Sequence, residues 1–190
     1  EETLLGLTFE IAPLSFFQVN PDQCERLYEC AIRLAALRPE DIVVDAYAGA
    51  GTISLCMAGS AQKVIGIEIV PQAVEAARRN AARNGITNAD FHLGAVEDVL
   101  PKLVAQGLHP DVVLLDPPRK GVEQPVIDAV LRTRPRRVVY VSCHVPKQAR
   151  DVKLLREGGY RLEACQPVDM FCYAGGVENV ISMTLDETQD

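Results

Sequence analysis

Short apolar runs alternate with amphipathic stretches along most of the chain. Runs that suit buried strands lie at residues 42–47, 64–69, 89–94, 112–118 and 137–143. Helices are predicted over residues 70–85, where Pro71 opens the segment and Gly85 closes it, and from about Pro146 to Glu157. Strands that alternate with helices in this way predict an α/β fold with a doubly wound, mostly parallel sheet.

The two ends of the chain follow a different pattern. Residues 7–20 predict a short hairpin, and residues 21–37 predict an amphipathic helix. Residues 160–170 and 177–185 form a predicted closing pair of strands. No repeat or linker interrupts the chain, so residues 1–190 are expected to form one domain, with residues 1–40 leading into its core. The start inside a predicted element suggests a piece of a longer protein.

Composition excludes several classes of protein. The chain has 190 residues, of which 48% are hydrophobic, as expected for one globular domain with a substantial core. No apolar stretch is long enough for a membrane helix, and the acidic N-terminus does not resemble a signal peptide. Six cysteines without CxxC spacing favour a reduced cytoplasmic protein and no zinc site. The net charge of −7 argues against a large nucleic-acid-binding surface.

A glycine-containing turn follows the first long strand. Asp45 precedes Gly49 and Gly51, and Ser54 stands where a dinucleotide-binding motif would have its third glycine. Glu68 ends the next strand about 20 residues after the glycines, where an acid typically accepts hydrogen bonds from a ribose. This D-x-x-x-G-x-G pattern resembles that of S-adenosylmethionine-dependent methyltransferases. A tight turn without a ligand is the structural alternative.

Candidate chemistry follows the next two apolar strands. Asp116 begins the segment DPPRKG, and Cys143 follows a strand end just before a helix whose N-terminal dipole would stabilise a thiolate. A thiolate beside a methyl donor suggests covalent catalysis on an unreactive carbon, such as carbon 5 of a pyrimidine. A buried core thiol is the alternative for Cys143. Arg119 stands where many amino-methyltransferases have an aromatic residue after DPP.

These segments together resemble the RNA uracil-5 methyltransferases, which make 5-methyluridine in ribosomal or transfer RNA. The matching stretches span nearly the whole chain in the family's order: SFFQVN (15–20), DAYAGAGTISL (45–55), GIEIVPQAVEAARRNAARNG (66–85), DVVLLDPPRKG (111–121), YVSCHVPKQARD (140–151) and GGYRLEACQPVDMF (158–171). The resemblance implies a Rossmann-like class I methyltransferase fold, with a seven-stranded sheet whose last strand is antiparallel. It also implies S-adenosyl-L-methionine as cofactor.

The resemblance assigns roles to matching positions. Cys143 would be the nucleophile and Glu178 the base that removes the carbon 5 proton. The cofactor would contact Gln18, Tyr47, Gly49, Gly51, Thr52, Glu68 and Asp116. The chain departs from the family at three positions: Thr52 replaces a frequent Asn, Cys172 replaces a Pro, and Gly176 replaces the His of an HVE element. Glu178 as a surface strand residue is the alternative, and His144 is predicted to be a turn residue.

The family's full-length enzymes generally carry an N-terminal RNA-binding module, which this chain is expected to lack. We expect an RNA substrate, ribosomal rather than transfer RNA, and a monomer without membrane association. An amino-methyltransferase acting through DPP and a cofactor-binding domain without catalysis remain alternatives.

The charge is unevenly distributed along the chain. Residues 119–153 contain 9 Lys and Arg against 3 Asp and Glu, a local charge of +6. Phosphate attraction is local, so we predict a basic patch around Cys143 that receives RNA. Its members would be Arg119, Lys120, Arg132, Arg134, Arg136, Arg137, Lys147 and Arg150.

Overall fold

A computed structural model describes residues 1–10, 20–170 and 176–186 of the chain. The strands are β1 (Glu2–Leu4), β2 (Leu7–Phe9), β3 (Ile42–Asp45), β4 (Lys63–Glu68), β5 (Ala89–Leu93), β6 (Val112–Leu115), β7 (Arg137–Ser142), β8 (Tyr160–Val168) and β9 (Glu178–Leu185). The helices are α1 (Pro21–Ala35), α2 (Thr52–Ala58), α3 (Pro71–Arg83), α4 (Val96–Ala105), α5 (Gln124–Thr133) and α6 (Val145–Glu157).

Seven strands form one sheet in the order β5-β4-β3-β6-β7-β9-β8. Neighbours from β5 to β7 pair in parallel, and β9 runs antiparallel to both β7 and β8. The order reverses between β3 and β6, which opens a crevice at the carboxyl ends of these strands. The predicted fold, a Rossmann-like class I methyltransferase sheet with an antiparallel last strand, is therefore confirmed.

The central strands are apolar because helices cover both faces of the sheet. Successive residues point to opposite faces: Val43 packs with α1, α2 and α3, whereas Val44 packs with α4, α5 and α6. Strand β6 is buried along its whole length, as a parallel strand between two helical layers requires. The result is a three-layer sandwich that leaves the strand ends free to carry a site.

The N-terminal hairpin lies earlier than the predicted span of residues 7–20. Strand β2 pairs antiparallel with β1, and the two are joined by a turn at Leu5 and Gly6, both at positive φ. Asn84, the C-cap of α3, anchors β2, since its side chain accepts from the Thr8 amide at 3.0 Å and donates to the Thr8 carbonyl at 2.8 Å. Only the start of the predicted span is therefore in the hairpin, and residues 11–19 lie outside the described part.

The helix predictions agree closely with the structure. Helix α1 covers most of residues 21–37, with the Asn20 side chain accepting from the Gln23 amide at its start. Helices α3 and α6 begin within one residue of the predicted Val70 and Pro146 positions. Helices α2, α4 and α5 fill the remaining connections. Among the described helices, none has both the length and the apolar character needed to cross a bilayer.

Candidate active site

The carboxyl ends of the parallel strands meet at one edge of the sheet and surround a cleft of about 590 Å³. Six of the predicted site residues line it: Tyr47, Gly49, Glu68, Asp116, Cys143 and Glu178. They come from the ends of different strands, so only the tertiary fold brings them together. Gln18 lies outside the described residues.

The glycine turn after β3 is built into the sheet. The Ala46 amide donates to the Leu114 carbonyl at 3.0 Å, and the Ala48 amide donates to the Ile67 carbonyl at 2.9 Å. Gly49 then enters the left-handed region with φ 55°, and its amide donates to Glu68 at 2.9 Å. The other Glu68 oxygen accepts from the Val70 amide at 2.8 Å. Two amides thus hold the Glu68 carboxylate at the cleft wall.

Gly51 and Thr52 lie behind this turn and are not among the cleft-lining residues. Gly51 has φ 79°, and a Cβ there would lie 2.9 Å from atoms of both Ala77 and Phe91. The Thr52 hydroxyl is hydrogen-bonded to the Tyr28 hydroxyl of α1 at 2.9 Å. The described contacts of both residues therefore support the turn, and their predicted contacts with a cofactor stay predictions.

Two carboxyl groups lie at the floor of the cleft: Asp116 lines it, and Asp45 lies fully buried near it at the end of β3. Burial raises the pKa of Asp45 to about 6, against a hydrogen bond from Ser54 that lowers it. Burial also raises the pKa of half-buried Asp116 to about 8, and the nearby charges of Glu178 and Asp45 raise it further. A cationic ligand would relieve this repulsion, so the floor suits a positively charged group.

Cys143 lies at the break between β7 and α6, partly exposed to the cleft. The turn around it is held by short-range bonds: the His144 amide donates to the Ser142 hydroxyl at 3.0 Å. His144 is the N-cap of α6, where its side chain accepts from the Lys147 amide at 3.3 Å. The sulfur therefore sits beside the N-terminus of α6, at the wall of the cleft.

Glu178 reaches the same cleft because β9 runs antiparallel to its neighbours. Strand β7 ends where β9 begins, with Ser142 paired to Asn179, so the first residue of β9 lies beside Cys143 at the cleft edge. A parallel strand would have placed Glu178 at the far end of the sheet. Glu178 is only 6% exposed. Burial raises its pKa, and the positive charge of Arg119 opposes that rise.

The predicted basic patch is wrong for half of its members. Arg119 and Lys120 line the cleft, and Lys147 lies in the first turn of α6. The residues from Arg132 to Arg137 instead lie near the amino end of β7. This strand has six residues, so its amino end is about 20 Å from Cys143. There Arg136 pairs with Asp41, and Arg137 pairs with Glu163 at 3.1 Å. The correction concerns Arg132, Arg134, Arg136 and Arg137.

Further lining residues were not singled out from the sequence. Ile69 and Val96 add apolar wall to the cleft, and Glu97 adds another acid at the start of α4. Glu97 follows β5 by four residues, so only the general rule that ligands bind at the carboxyl ends of parallel strands could have pointed to it. In the described ranges, no group of three or more His, Cys, Asp or Glu side chains is arranged to hold a metal ion.

Comparison with known sequences identifies the family. Residues 6–185 match the family model of tRNA (uracil-5-)-methyltransferases. An uncharacterized RNA methyltransferase of Oceanobacillus iheyensis is 49% identical over 179 residues, which cover 94% of this chain and 39% of the relative. One from Enterococcus faecalis is 48% identical over 183 residues, covering 96% and 40%. The chain thus spans about two-fifths of the curated relatives it matches.

A solved structure agrees with the sequence matches. The tRNA (uracil-54, C5)-methyltransferase of Pyrococcus abyssi, crystallised in complex with S-adenosyl-L-homocysteine, superposes with a TM-score of 0.83 at 31% identity. The match covers 96% of this chain and 43% of that protein. With a family model matched from residue 6 to residue 185, the chain belongs to the tRNA (uracil-5-)-methyltransferase family.

Proposed function

We propose that this chain is the catalytic unit of an S-adenosyl-L-methionine-dependent RNA methyltransferase that forms 5-methyluridine. One observation carries the proposal: Cys143, Glu178, Asp116 and Glu68 line a single cleft at the topological switch point of the sheet. A nucleophile, a base and an acid suited to a ribose are the groups this reaction needs. The complex of the Pyrococcus abyssi relative with S-adenosyl-L-homocysteine supports the choice of cofactor.

The residues present fit the cofactor. The Glu68 carboxylate is held by two amides and keeps acceptor capacity for a ribose diol. Ile69 and Val96 supply apolar surface for an adenine ring, and Gly49 leaves room for a close approach. Asp116 faces the region where a cationic sulfonium would be stabilised. We assign Gln18, Tyr47, Gly51 and Thr52 to the same binding site by resemblance. The cofactor supplies the methyl group.

Cys143 begins the reaction. Its thiolate adds to carbon 6 of the target uracil, which forms the carbon–sulfur bond and places the electron pair on carbon 5 and its neighbouring carbonyl as an enolate. Carbon 5 then takes the methyl group as the sulfur–methyl bond breaks and S-adenosyl-L-homocysteine forms. A uridine within folded RNA must be flipped out of its stack to reach this cleft.

Glu178 completes the reaction as the general base. Its carboxylate takes the proton from carbon 5, and the electrons of that carbon–hydrogen bond restore the double bond between carbons 5 and 6. The carbon–sulfur pair returns to Cys143, which leaves as a thiolate. A base with a pKa raised by burial is better matched to neutral pH than an exposed glutamate, which favours this proton transfer.

RNA containing 5-fluorouridine tests the nucleophile, because a base cannot remove fluorine from carbon 5 as it removes a proton, so the covalent complex is trapped. We expect Cys143→Ala to abolish the trapped complex while cofactor binding by calorimetry persists. Trapping by that variant would contradict the nucleophile assignment. Glu178→Gln is expected to accumulate a covalent complex even with ordinary uridine RNA, whereas normal product release would remove Glu178 from the base role.

The same measurements separate the alternatives. An amino-methyltransferase would keep most activity in Cys143→Ser, because its target nitrogen needs no thiolate. A domain without catalysis would bind the cofactor but transfer no methyl group to any cellular RNA. Mass-spectrometric mapping of 5-methyluridine in ribosomal and transfer RNA, from cells with and without the gene, would identify the substrate, which we expect to be ribosomal.

A further inference from the structure

Helix α6 buries two polar side chains against the sheet, Gln148 at 2% exposure and Asp151 at 0%. An uncharged amide in a core is unfavourable unless its hydrogen bonds are made, and an apolar residue would fill the same position without that requirement. Gln148 makes its bonds in full: Nε2 donates to the Tyr140 carbonyl at 2.9 Å and to the Asn179 carbonyl at 3.0 Å. Its Oε1 accepts from Asn179 Nδ2 at 2.7 Å.

These three bonds join the two strands that carry the nucleophile and the base. Tyr140 belongs to β7, which leads into Cys143, and Asn179 directly follows Glu178 in β9. Gln148 itself lies in the helix that starts after Cys143. One side chain therefore connects the nucleophile's helix to both strands at the cleft edge.

The backbone pairing of β9 with β7 does not extend to Glu178. The pairing of β7 with β9 ends at Ser142 and Asn179, because the chain turns away from the sheet at Cys143. Among the described residues, the strand partner of Glu178 is Val168 of β8. The bonds from Gln148 to the backbone and side chain of Asn179 act where the β7 ladder stops.

We infer that Gln148 is a positioning residue for Glu178: by clamping Asn179 to helix α6, it fixes the start of β9 and the direction of the Glu178 carboxylate toward carbon 5. The inference rests on the proposed function. It acts on one step, the removal of the carbon 5 proton, because the addition of Cys143 and the methyl transfer precede that step and do not use Glu178.

Gln148→Leu keeps the approximate volume and removes all three bonds. We expect it to slow breakdown of the covalent complex by about tenfold to a hundredfold, the usual effect of a misplaced catalytic group. The fraction of enzyme covalently attached to RNA at steady state should rise, while the cofactor dissociation constant stays unchanged. Asn179→Ala removes one of the three bonds, keeps the two to backbone carbonyls, and should show a smaller effect of the same kind.

Tyr160→Phe is the matched control for stability. The Tyr160 hydroxyl is buried and donates to the Pro135 carbonyl at 2.8 Å, at the edge of the sheet opposite the cleft. Its removal also deletes a buried hydrogen bond, so an effect caused by lost stability alone should appear in Tyr160→Phe as well as in the two test variants. Only the test variants should raise the covalent fraction.

The experiment uses the protein with S-adenosyl-L-methionine and total RNA from cells that lack the gene, and reads the covalent fraction on denaturing gels. A covalent fraction in Gln148→Leu and Asn179→Ala above that of wild type and of Tyr160→Phe supports the inference. Equal fractions in all four proteins, with wild type still trapped by 5-fluorouridine RNA, overturn this inference alone. If wild type is not trapped by 5-fluorouridine RNA, the proposed function fails, and this inference fails with it.

Discussion

At the scale of single residues, the cleft concentrates carboxyl groups whose charged forms are unfavourable. The pKa of Asp116 rises from 3.8 to about 8, and that of Asp45 rises to about 6. An acid with a raised pKa in the folded state binds protons that the unfolded chain has already released. The free energy of unfolding therefore falls as the pH rises between the unfolded and the folded pKa.

Asp116→Asn tests this linkage. The variant should be more stable than wild type at pH 8 by about 1 kcal/mol or more, roughly 2–4 °C in melting temperature for a domain of this size. The difference should be much smaller near pH 4, where Asp116 is neutral in the folded state and the unfolded chain also begins to bind the proton. Thermal melts at the two pH values measure it. A difference of equal size at both pH values would contradict the raised pKa of Asp116.

Arg119 is expected to set the pH dependence of proton removal by Glu178, the proposed base. Its charge lowers the pKa of Glu178, so Arg119→Gln should raise that pKa further. Because the base acts as a carboxylate, the acid limb of covalent-complex breakdown should move to higher pH. Single-turnover rates from pH 5 to pH 8 would show the shift. Lys120→Gln removes the same charge from a residue paired with Glu123 at 2.9 Å and should leave the limb in place; a shift in both variants or in neither would contradict the assignment.

At the scale of elements, helix α6 also holds the loop that carries Asp116. The Asp151 carboxylate accepts from the Val122 amide at 2.9 Å and from the Tyr140 hydroxyl at 2.7 Å. The Arg150 guanidinium donates to Asp151 and also to the Val122 carbonyl at 3.0 Å. Gly121 lies directly against this cluster with φ 82°. Hydrogen bonds therefore link the loop to helix α6, so a shift of one is expected to shift the other.

Gly121→Ala should disrupt the hydrogen bonds that link the Asp116 loop to helix α6. A Cβ there would lie 2.8 Å from both the Arg150 guanidinium and the Asp151 carboxylate, so the loop must move in addition to bearing backbone strain of about 1–3 kcal/mol. We expect a lower urea midpoint and weaker cofactor binding. Gly107→Ala has the same kind of strain at φ 96° but open space around the Cβ. It should lose stability and keep cofactor affinity; weaker binding in both variants would argue against displacement of the loop.

At the scale of the whole molecule, the domain is acidic, but two basic side chains line its cleft. Arg119 and Lys120 line the cleft and Lys147 lies in the first turn of α6, whereas exposed Arg132 and Arg134 lie at the end of α5, near the amino end of β7. The net charge of −7 repels RNA at long range. If the domain binds RNA as proposed, we expect local contacts with these basic residues to supply the attraction.

Two double variants test where RNA binds the domain. Arg119→Gln with Lys147→Gln should weaken RNA binding and reduce its salt dependence by about one unit of slope for each phosphate that is no longer neutralised. Arg132→Gln with Arg134→Gln removes the same charge near the amino end of β7. This pair should change RNA affinity and its salt dependence little. Filter binding between 50 and 200 mM salt, roughly the range over which counterion release is resolved, measures them. Equal effects from the two pairs would place RNA elsewhere.

The sequence alone determined the strands of the main sheet, three of the described helices, and the positions of several candidate site residues at strand ends. Apolar runs such as residues 112–118 identify buried strands because a strand between two helical layers has no polar face. The turns that follow them supply Glu68, Asp116 and Cys143, and carboxyl ends of parallel strands share one edge, so their meeting in one cleft was predictable. The position of Glu178 was reached only through the resemblance to a family.

The tertiary structure decided which residues lie close together in space, and separation along the sequence does not show this. Arg137 and Cys143 are six residues apart, yet they lie at opposite ends of the extended strand β7. The basic segment is therefore divided between the two ends of the strands. The raised pKa of Asp116 and the clamp from Gln148 to Asn179 depend on burial and on a hydrogen bond that spans 31 residues of chain. Local pattern determines which elements form, because it acts over a few residues; desolvation, charge and hydrogen bonding at the site depend on which elements the fold brings together.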